Sequence, residues 1–238
     1  MRKDSVVDID GHSAFVTGAN RGLGRHLAEQ LRDRGATVYA AARNPDLVQI
    51  EGVIPVRLDV TDEDSIVEAA RSTSGVSILI NNAGSSTRSS LLSGPLSDIR
   101  LEMDTHYFGS LLVTRAFARQ LAEAEKSAVL NILSVLSWIS FPVSGAYCAA
   151  KSAQWSMTNA LRQELAGQGT RVSALHVGYM DTDMTAAIDA PKNDPAEVAR
   201  IALDGIEKDQ AEILADDISI TVRAGLANGV AGLYPQLA

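Results

Sequence analysis

Residues 13–24 read Ser13-Ala14-Phe15-Val16-Thr17-Gly18-Ala19-Asn20-Arg21-Gly22-Leu23-Gly24 and are the best guide to the fold of this 238-residue chain. The first five residues predict a short buried strand, and a helical apolar pattern follows the glycines. Glycines in such a turn let the backbone approach a pyrophosphate, which then lies on the amides of the helix N-terminus. The spacing G-x-x-x-G-x-G alone is weak evidence, but its place between a strand and a helix strengthens it. The candidate phosphate contacts are Gly18, Asn20, Arg21, Gly22, Leu23 and Gly24.

Strands and helices alternate along the rest of the chain. Short apolar or β-branched runs, typical of strands buried on both faces, occupy 37–42, 53–58, 77–80, 128–132 and 171–176. Helical stretches lie between them, and a long one spans roughly Asp98 to Glu125. We therefore predict one doubly wound α/β domain over residues 1–238, with residues 1–10 as a mobile N-terminus. Its parallel sheet of about seven strands has helices on both faces and binds ligand at the carboxyl ends of the strands.

Three side chains suited to proton transfer lie close together in the chain: Ser134, Tyr147 and Lys151. Tyr147 and Lys151 stand four residues apart in an alanine-rich segment of high helix propensity, so both project from one helix face. A nearby positive charge favours the phenolate and lowers the ordinary tyrosine pKa of about 10. One lysine is not enough to bring that pKa near neutrality, so we expect a second cation beside the tyrosine. The trio predicts general acid and base catalysis.

These motifs together resemble those of the short-chain dehydrogenase/reductase family. Thr17-Gly18-x-x-x-Gly22-x-Gly24, Asn81-Asn82-Ala83-Gly84, Ser134 and Tyr147-x-x-x-Lys151 occur in the family's order and at its spacings, over nearly the whole chain. The resemblance implies a Rossmann-like domain and hydride transfer between a nicotinamide cofactor and a carbonyl or alcohol. It makes the oxidised nicotinamide ring the second cation. By the same resemblance, further cofactor contacts come from Asp59, Val60, Asn82, Ala83, Gly84, Tyr147, Lys151, Gly178, Thr182 and Met184.

The end of the second predicted strand bears on the choice of nicotinamide cofactor. A carboxylate there would bind a ribose 2′-hydroxyl and repel a 2′-phosphate, whereas this chain has Ala42 and then Arg43. A guanidinium matches a phosphate in shape and charge, and Arg21 is a second candidate clamp. In the resembling family, basic residues at these two positions go with NADP. We therefore expect NADP(H), with an NAD-linked alcohol dehydrogenase as the alternative; either arginine alone could equally be a solvated surface charge.

The chain departs from the family pattern at two positions. His106 stands where the family has an asparagine that is thought to hold a water in a proton relay, which makes His106 the fourth candidate catalytic residue. An imidazole also donates and accepts hydrogen bonds, but its protonation adds a pH-dependent charge. Val177 replaces a proline before Gly178, and we expect it to loosen the turn beside the nicotinamide.

The substrate is specified less closely. Apolar residues around the catalytic group favour a hydrophobic ketone, aldehyde or secondary alcohol, although several could serve the core or an interface instead. A short segment, 185–194, precedes the next predicted helix at Pro195, which indicates an open site. The candidate pocket residues are Ser85, Leu136, Trp138, Phe141, Val143 and Tyr179.

Composition excludes several other classes of protein. The net charge of −8 argues against nucleic acid and anionic membranes as partners. No apolar run approaches the roughly 18 to 20 residues of a membrane helix, and residues 1–5 lack the apolar core of a signal peptide, so we expect a cytoplasmic protein. The single cysteine, Cys148, adjoins Tyr147. Packing at a tight helix position explains this cysteine better than a redox role does. The four histidines are scattered, and no metal site is expected.

Two further expectations concern the whole protein. The motifs favour an enzyme, with a non-catalytic nucleotide-binding regulator of the same fold as the rival because of His106 and Val177. The resemblance also implies a homodimer or homotetramer, in which the long helix and the helix that carries Tyr147 form an interface. The apolar candidates for that interface are Leu111, Leu112, Phe117, Trp155 and Leu161.

Overall fold

The computed structural model describes residues 7–234, which build a seven-stranded parallel sheet. The order across the sheet is β3-β2-β1-β4-β5-β6-β7, so the winding direction reverses between β1 and β4. Such a reversal opens a crevice at the carboxyl ends of the strands. The strands are β1 Ser13–Thr17, β2 Thr37–Ala42, β3 Ile54–Arg57, β4 Val76–Asn81, β5 Ser127–Ile132, β6 Thr170–His176 and β7 Glu212–Leu214.

Helices follow most of the strands, and side-chain caps fix where several of them begin. The Asp62 carboxylate accepts from the first backbone amides of one helix, and Asp194 caps another that opens with Pro195. Short 3₁₀ turns at Val135–Ser137 and Pro142–Ser144 lie between β5 and the helix that carries Tyr147. The α-helices are α1 Gly22–Asp33, α2 Glu63–Arg71, α3 Leu96–Met103, α4 Ser110–Glu123, α5 Gly145–Glu164, α6 Pro195–Glu207, α7 Asp217–Gly225 and α8 Gly229–Leu233.

Two apolar clusters cover the two faces of the sheet. On one face α1 and α6 pack against the strands through side chains such as Leu27 and Leu203. On the other face α2, α4 and α5 do so through Ile66, Phe117 and Leu161. Because both faces are covered, the central strands are buried along their whole length, as β4 and β5 are. This packing fixes the strand ends on which the site is built.

The predicted doubly wound α/β fold with seven strands is confirmed. The six strands located in the sequence lie within about two residues of their expected bounds, but β7 was missed, because three residues at a sheet edge carry little pattern. The expected long helix is interrupted by a π-helical segment, Asp104–Gly109, between α3 and α4. Of the residues expected to form a mobile N-terminus, 1–6 lie outside the described part, while Val7 and Ile9 are buried in the core.

Candidate active site

A cavity of about 1290 Å³ opens at the carboxyl ends of the strands, on both sides of the point where the winding reverses. Single small ligands usually occupy roughly 300–1,000 Å³, so this volume has room for a dinucleotide together with a small substrate. All the residues predicted from the sequence to contact a cofactor line this cavity. Ser134, Tyr147, Lys151 and His106 line it as well, and we call the part around them the inner end.

The glycine turn is fastened to the end of β4 by a threonine and an asparagine. Thr17 Oγ1 accepts the backbone N–H groups of Asn82 and Ala83, each at 2.9 Å. In return the Asn82 side-chain amide donates to the carbonyls of Thr17 at 2.8 Å and Gly18 at 3.1 Å. These bonds hold the first residues of the turn and the Asn82–Gly84 segment as one unit.

Three glycines of the turn are required by the backbone geometry. Gly18 and Gly22 have φ angles of +68° and +55°, in the left-handed region that favours glycine. A Cβ at Gly24 would stand 2.2 Å from the Gly18 carbonyl oxygen and 2.4 Å from Asn82 Nδ2, so no side chain fits there. The turn therefore leaves bare backbone at the start of α1, the arrangement that a pyrophosphate needs.

Two arginines and an aspartate stand at the outer edge of the cavity, which we call the rim (Arg21, Arg43 and Asp183). The Arg21 guanidinium donates to Asp183 at 2.9 Å, and the two side chains are 68% and 74% exposed. Arg21 is thus already partnered by a carboxylate, which the sequence did not predict. Arg43 is exposed and lies beside Asp59. Burial raises the pKa of the Asp59 carboxyl, but hydrogen bonds from Thr61 and the positive charges of Arg43 and Arg57 lower it more, so the pKa lies below its ordinary value. Both guanidinium groups can be reached by a ligand.

Ser134 lies directly beyond β5, at the start of the Val135–Ser137 turn. Its hydroxyl accepts the Leu136 backbone N–H at 3.1 Å and donates to the Val177 carbonyl at 3.3 Å. The segment after β6 is fastened too, because the Gly178 N–H donates to Asp216 at 2.7 Å. The expected loosening at Val177 is therefore not found, since Asp216 and the Ser134 hydroxyl hold this turn without a proline.

Tyr147 and Lys151 occupy the first two turns of α5, as the i, i+4 spacing predicted. Lys151 is 4% exposed, and its Nζ donates to the Ile132 carbonyl at 2.7 Å and to Gln154 Oε1 at 3.0 Å. The same Nζ lies 5.7 Å from the centre of the Tyr147 ring. Burial lowers the pKa of Lys151 to about 7, and the Glu102 carboxylate acts in the opposite direction. Lys151 therefore gives up its proton more readily in this site than a solvent-exposed lysine does.

The pKa of Tyr147 differs from the expectation. Burial raises it above the ordinary tyrosine value, the negative charge of Glu102 raises it further, and a hydrogen bond with Ser134 offsets only part of the rise. The expected lowering by Lys151 is not found, because burial penalises the phenolate more than the protein's own groups stabilise it. In the protein alone Tyr147 is held as a phenol, which is the proton-donating form.

His106 lies in the π-helical segment, and it meets Tyr147 edge to face with ring centres 5.1 Å apart and planes at 87°. π-Helical turns often occur at functional sites because the extra residue re-aims a side chain. His106 is 1% exposed, and its Nε2 is 2.9 Å from the Ser85 carbonyl oxygen and 3.2 Å from Glu102 Oε2. Burial and the nearby Lys151 ammonium lower the pKa of His106, which Glu102 and Ser85 only partly offset. The imidazole is therefore neutral near pH 7.

The predicted substrate pocket is only partly formed by the expected residues. Ser85, Leu136, Phe141 and Tyr179 line the cavity beyond the inner end, as does Met184. Trp138 does not line it, because its ring stacks on His176 with centres 3.8 Å apart. Val143 does not line it either and is 71% exposed. Cys148 is buried in a small apolar cluster, as its packing interpretation expected.

Sequence reasoning missed two polar residues at the inner end, Glu102 and Gln154. Glu102 is 0% exposed and bonds to His106, Ser85 and Thr87; Gln154 accepts from Lys151 and donates to Ser110 at 2.9 Å. Each follows a spacing that could have revealed it, since Glu102 is four residues before His106 and Gln154 three residues after Lys151.

Among residues 7–234, no helix is long and apolar enough to span a membrane.

Comparison with known proteins gives a consistent result. A family model described as short chain dehydrogenase matches residues 12–193. The NADPH-dependent 1-acyldihydroxyacetone phosphate reductase of Schizosaccharomyces pombe is 34% identical over 177 residues, which are 71% of this chain but only 60% of that protein. The 3-oxoacyl-(acyl-carrier-protein) reductase of Vibrio cholerae is 30% identical over 210 residues, 82% of this chain and 83% of that protein.

A solved structure is similar over almost the full length. It is the crystal structure of a short chain dehydrogenase from Burkholderia cenocepacia J2315 in complex with NADP. The two chains are 33% identical and superimpose with a TM-score of 0.92, over 97% of this chain and 99% of the other.

Proposed function

Since this chain belongs to the short-chain dehydrogenase/reductase family, and so to the oxidoreductases, we propose that it is an NADP(H)-dependent carbonyl reductase or alcohol dehydrogenase. It would transfer a hydride between nicotinamide and a hydrophobic ketone, aldehyde or secondary alcohol. One observation carries the proposal: Ser134, Tyr147 and Lys151 line one cavity together with a glycine turn that leaves bare backbone for a pyrophosphate.

The residues present fit a phosphorylated dinucleotide. Bare backbone at Gly24 suits the pyrophosphate, Arg43 and Arg21 suit a 2′-phosphate, and Ala42 offers no carboxylate to repel it. The NADPH named for the fission yeast relative and the NADP named for the Burkholderia structure support the same choice. Bound NADPH would supply the hydride, and its oxidised form would supply the positive charge that the protein alone does not place beside Tyr147.

The protein's own groups handle the proton. During reduction Tyr147 would donate its phenolic proton to the carbonyl oxygen, and the Ser134 hydroxyl would rotate away from the Val177 carbonyl to donate its one hydrogen bond to that oxygen. Lys151 would hold the ribose hydroxyls of the cofactor and return a proton to Tyr147. The raised pKa of Tyr147, caused by burial and by Glu102, favours the donor form before hydride transfer.

The substrate end of the cavity favours a mostly apolar molecule. Leu136, Phe141, Tyr179 and Met184 supply apolar surface there, and Phe141 and Met184 are 44% and 42% exposed. The segment between Met184 and Pro195 is short, so it covers the site only in part. An open apolar pocket is expected to accept several hydrophobic carbonyl compounds.

A panel assay tests the proposal. Aliphatic and aromatic ketones, aldehydes and secondary alcohols are incubated with NADPH, NADH, NADP or NAD, and the reduced cofactor is followed by absorbance. We expect NADPH-dependent reduction of several apolar carbonyl compounds. Faster turnover with NADH would favour the NAD-linked alternative. Cofactor binding without turnover on any substrate would contradict the enzyme and favour a nucleotide-binding regulator.

We also propose a homo-oligomer, with α4 and α5 in its interface. Phe117 and Leu161, two of the apolar candidates, face the sheet, whereas Leu111, Leu112 and Trp155 are only partly buried and remain available. Light scattering should give a mass of two or four chains. A monomer at micromolar concentration would refute this proposal and leave the proposed activity untouched.

A further inference from the structure

Glu102 is a buried carboxylate that the proposed mechanism does not use. Its three partners are Ser85 and Thr87, on the loop that follows β4, and His106 at the inner end of the cavity. One oxygen accepts the backbone N–H of Thr87, and the other accepts the Ser85 hydroxyl at 2.9 Å and faces His106 Nε2 at 3.2 Å. A fully buried charge is costly unless it is hydrogen-bonded or paired, and this carboxylate has three such contacts.

The contacts of His106 determine which ring nitrogen carries its proton. Its Nε2 faces two groups that only accept, the Ser85 carbonyl oxygen at 2.9 Å and the Glu102 carboxylate at 3.2 Å. The one donor nearby, the Ser85 N–H, is the most distant at 3.3 Å. A neutral imidazole with a lone pair on Nε2 would meet two acceptors, so the proton must be on Nε2.

The other ring nitrogen is left without a partner. His106 Nδ1 is buried and makes no hydrogen bond among the residues that the structure describes. The ring edge that carries it faces Gly84, where an added Cβ would lie 2.8 Å from Cε1 and 3.6 Å from Nδ1. With the proton on Nε2, this Nδ1 can only accept. A buried acceptor that no described residue satisfies calls for a donor from outside the chain, such as a water.

We propose that Glu102 is a positioning residue that fixes His106 as the Nε2–H tautomer and so presents Nδ1 as an acceptor for the proton relay behind Tyr147 and Lys151. The proposal rests on the proposed function. Glu102 receives no proton and forms no bond to the substrate; it orients a neutral imidazole, which accepts a hydrogen bond from a water. After Lys151 has given its proton to Tyr147, that water donates a proton to the neutral Lys151 amine and takes a replacement proton from bulk solvent. The same carboxylate accepts hydrogen bonds from Ser85 and Thr87, so it also fixes the position of the 85–87 loop at the substrate end of the cavity.

Glu102→Gln separates this role from simple packing. A glutamine amide has one accepting oxygen, so it cannot accept from Thr87, Ser85 and His106 together, and its NH₂ group favours a lone pair on Nε2. We expect the variant to populate the Nδ1–H tautomer. Nitrogen-15 NMR of the labelled full-length chain reads the tautomer directly, with the His106 signals assigned by their loss in His106→Asn. Asp104→Asn removes the same charge from an exposed site on the same helical stretch and should leave the tautomer unchanged.

The NMR result does not depend on turnover, so it stands even if the proposed activity fails. An Nδ1–H tautomer in the parent chain would overturn the proposal, as would an unchanged tautomer in Glu102→Gln. If the variant does not fold, the reading on the parent chain still decides.

Kinetics on a substrate from the panel test the link to the relay. Glu102→Gln should lower kcat roughly tenfold in the parent but less than about twofold in His106→Asn, because an asparagine amide both donates and accepts without a tautomer. Equal losses in the two backgrounds would mean a structural role and overturn the proposal.

The pH profile supplies a second kinetic readout. The titratable groups that face His106 are Glu102 on its own helical stretch and Lys151 and Tyr147 on α5. Protonation of His106 should remove activity on the acid side. Because Glu102 raises the pKa of His106, that acid limb should move to lower pH in Glu102→Gln and vanish in His106→Asn. An acid limb that is the same in all three proteins would contradict the role of His106.

Discussion

Lys151 at the inner end of the cavity and Glu102 behind it are 4% and 0% exposed, whereas at the rim the side chains of Arg21 and Asp183 are 68% and 74% exposed. Lys151 and Glu102 are hydrogen-bonded to fixed partners in a medium of low dielectric constant. A single substitution among these groups therefore alters the pKa values and the geometry of the others. An exposed ion pair is worth only about 0.2–1 kcal/mol and exchanges partners readily. We therefore expect proton transfer to depend on the inner end and the choice between NADP(H) and NAD(H) to depend on the rim.

The largest expected effect comes from Tyr147→Phe at the inner end. The ring keeps its packing against His106, and only the proton-donating hydroxyl is lost. Loss of a general acid should lower kcat by about a hundredfold or more, with NADPH affinity nearly unchanged. Steady-state kinetics and calorimetry measure the two quantities, with Tyr39→Phe as a control because Tyr39 lies on β2 away from the cavity. Retention of more than about a tenth of the parent rate would remove Tyr147 from its role.

Gly24→Ala tests the turn that lies between the inner end and the rim. A Cβ there would stand 2.2 Å from the Gly18 carbonyl oxygen, so the turn must shift away from the pyrophosphate. We expect NADPH affinity to fall by roughly a hundredfold, since the helix amides no longer converge on one anion. Gly167→Ala is the matched control, because an added Cβ there meets nothing within 4 Å. Unchanged calorimetric affinity in Gly24→Ala would contradict the assignment of this turn.

Arg43→Asp should reverse the cofactor preference. The parent is expected to bind NADPH about tenfold to a hundredfold more tightly than NADH, because charge-assisted bonds contribute roughly 1.5 to 3 kcal/mol. An aspartate would repel the 2′-phosphate and accept the ribose hydroxyl. Calorimetric titration with both cofactors measures the ratio. Arg71→Asp, an exposed position on α2 that does not line the cavity, controls for net charge. Equal affinity of the parent for the two cofactors would refute the NADP assignment of the rim.

Arg21→Ala should have the smallest effect. To bind a phosphate, Arg21 must break its ion pair with Asp183 or share its guanidinium between the two anions. Its net contribution to NADPH affinity is therefore small. We expect NADPH affinity to fall by less than about fivefold. Asp183→Asn should raise it slightly, because the arginine is released. A loss in Arg21→Ala as large as that in Arg43→Asp would show that the ion pair opens fully on binding.

The features that the sequence revealed are local. The glycine turn and the Tyr147/Lys151 pair lie within single elements whose geometry follows from residue spacing, and the strand pattern follows from burial on both faces. The cofactor contacts outside the glycine turn and Arg43 came from the family resemblance, whose motifs are short and continuous in the chain. The fold class was therefore accessible from the sequence, as were the candidate site residues that line the cavity.

The features that the sequence did not reveal depend on contacts between elements. Glu102 acquires its role only because the 85–87 loop folds over α3, and Trp138 leaves the pocket because His176, on β6, offers a flat partner. The raised pKa of Tyr147 follows from burial, which spacing does not report. A three-residue edge strand and a π-helical segment have no periodic signature of their own.

The separation of the inner end from the rim is tested most directly by the kcat of Arg43→Asp at saturating NADH, compared with the parent at saturating NADPH on the same substrate. Only the rim differs between the two enzymes, while Ser134, Tyr147, Lys151 and Glu102 are unchanged. The account predicts kcat values within about threefold of each other, because distant sites act independently. A fall approaching the hundredfold expected for Tyr147→Phe would contradict it, since the rim would then control the chemical step itself.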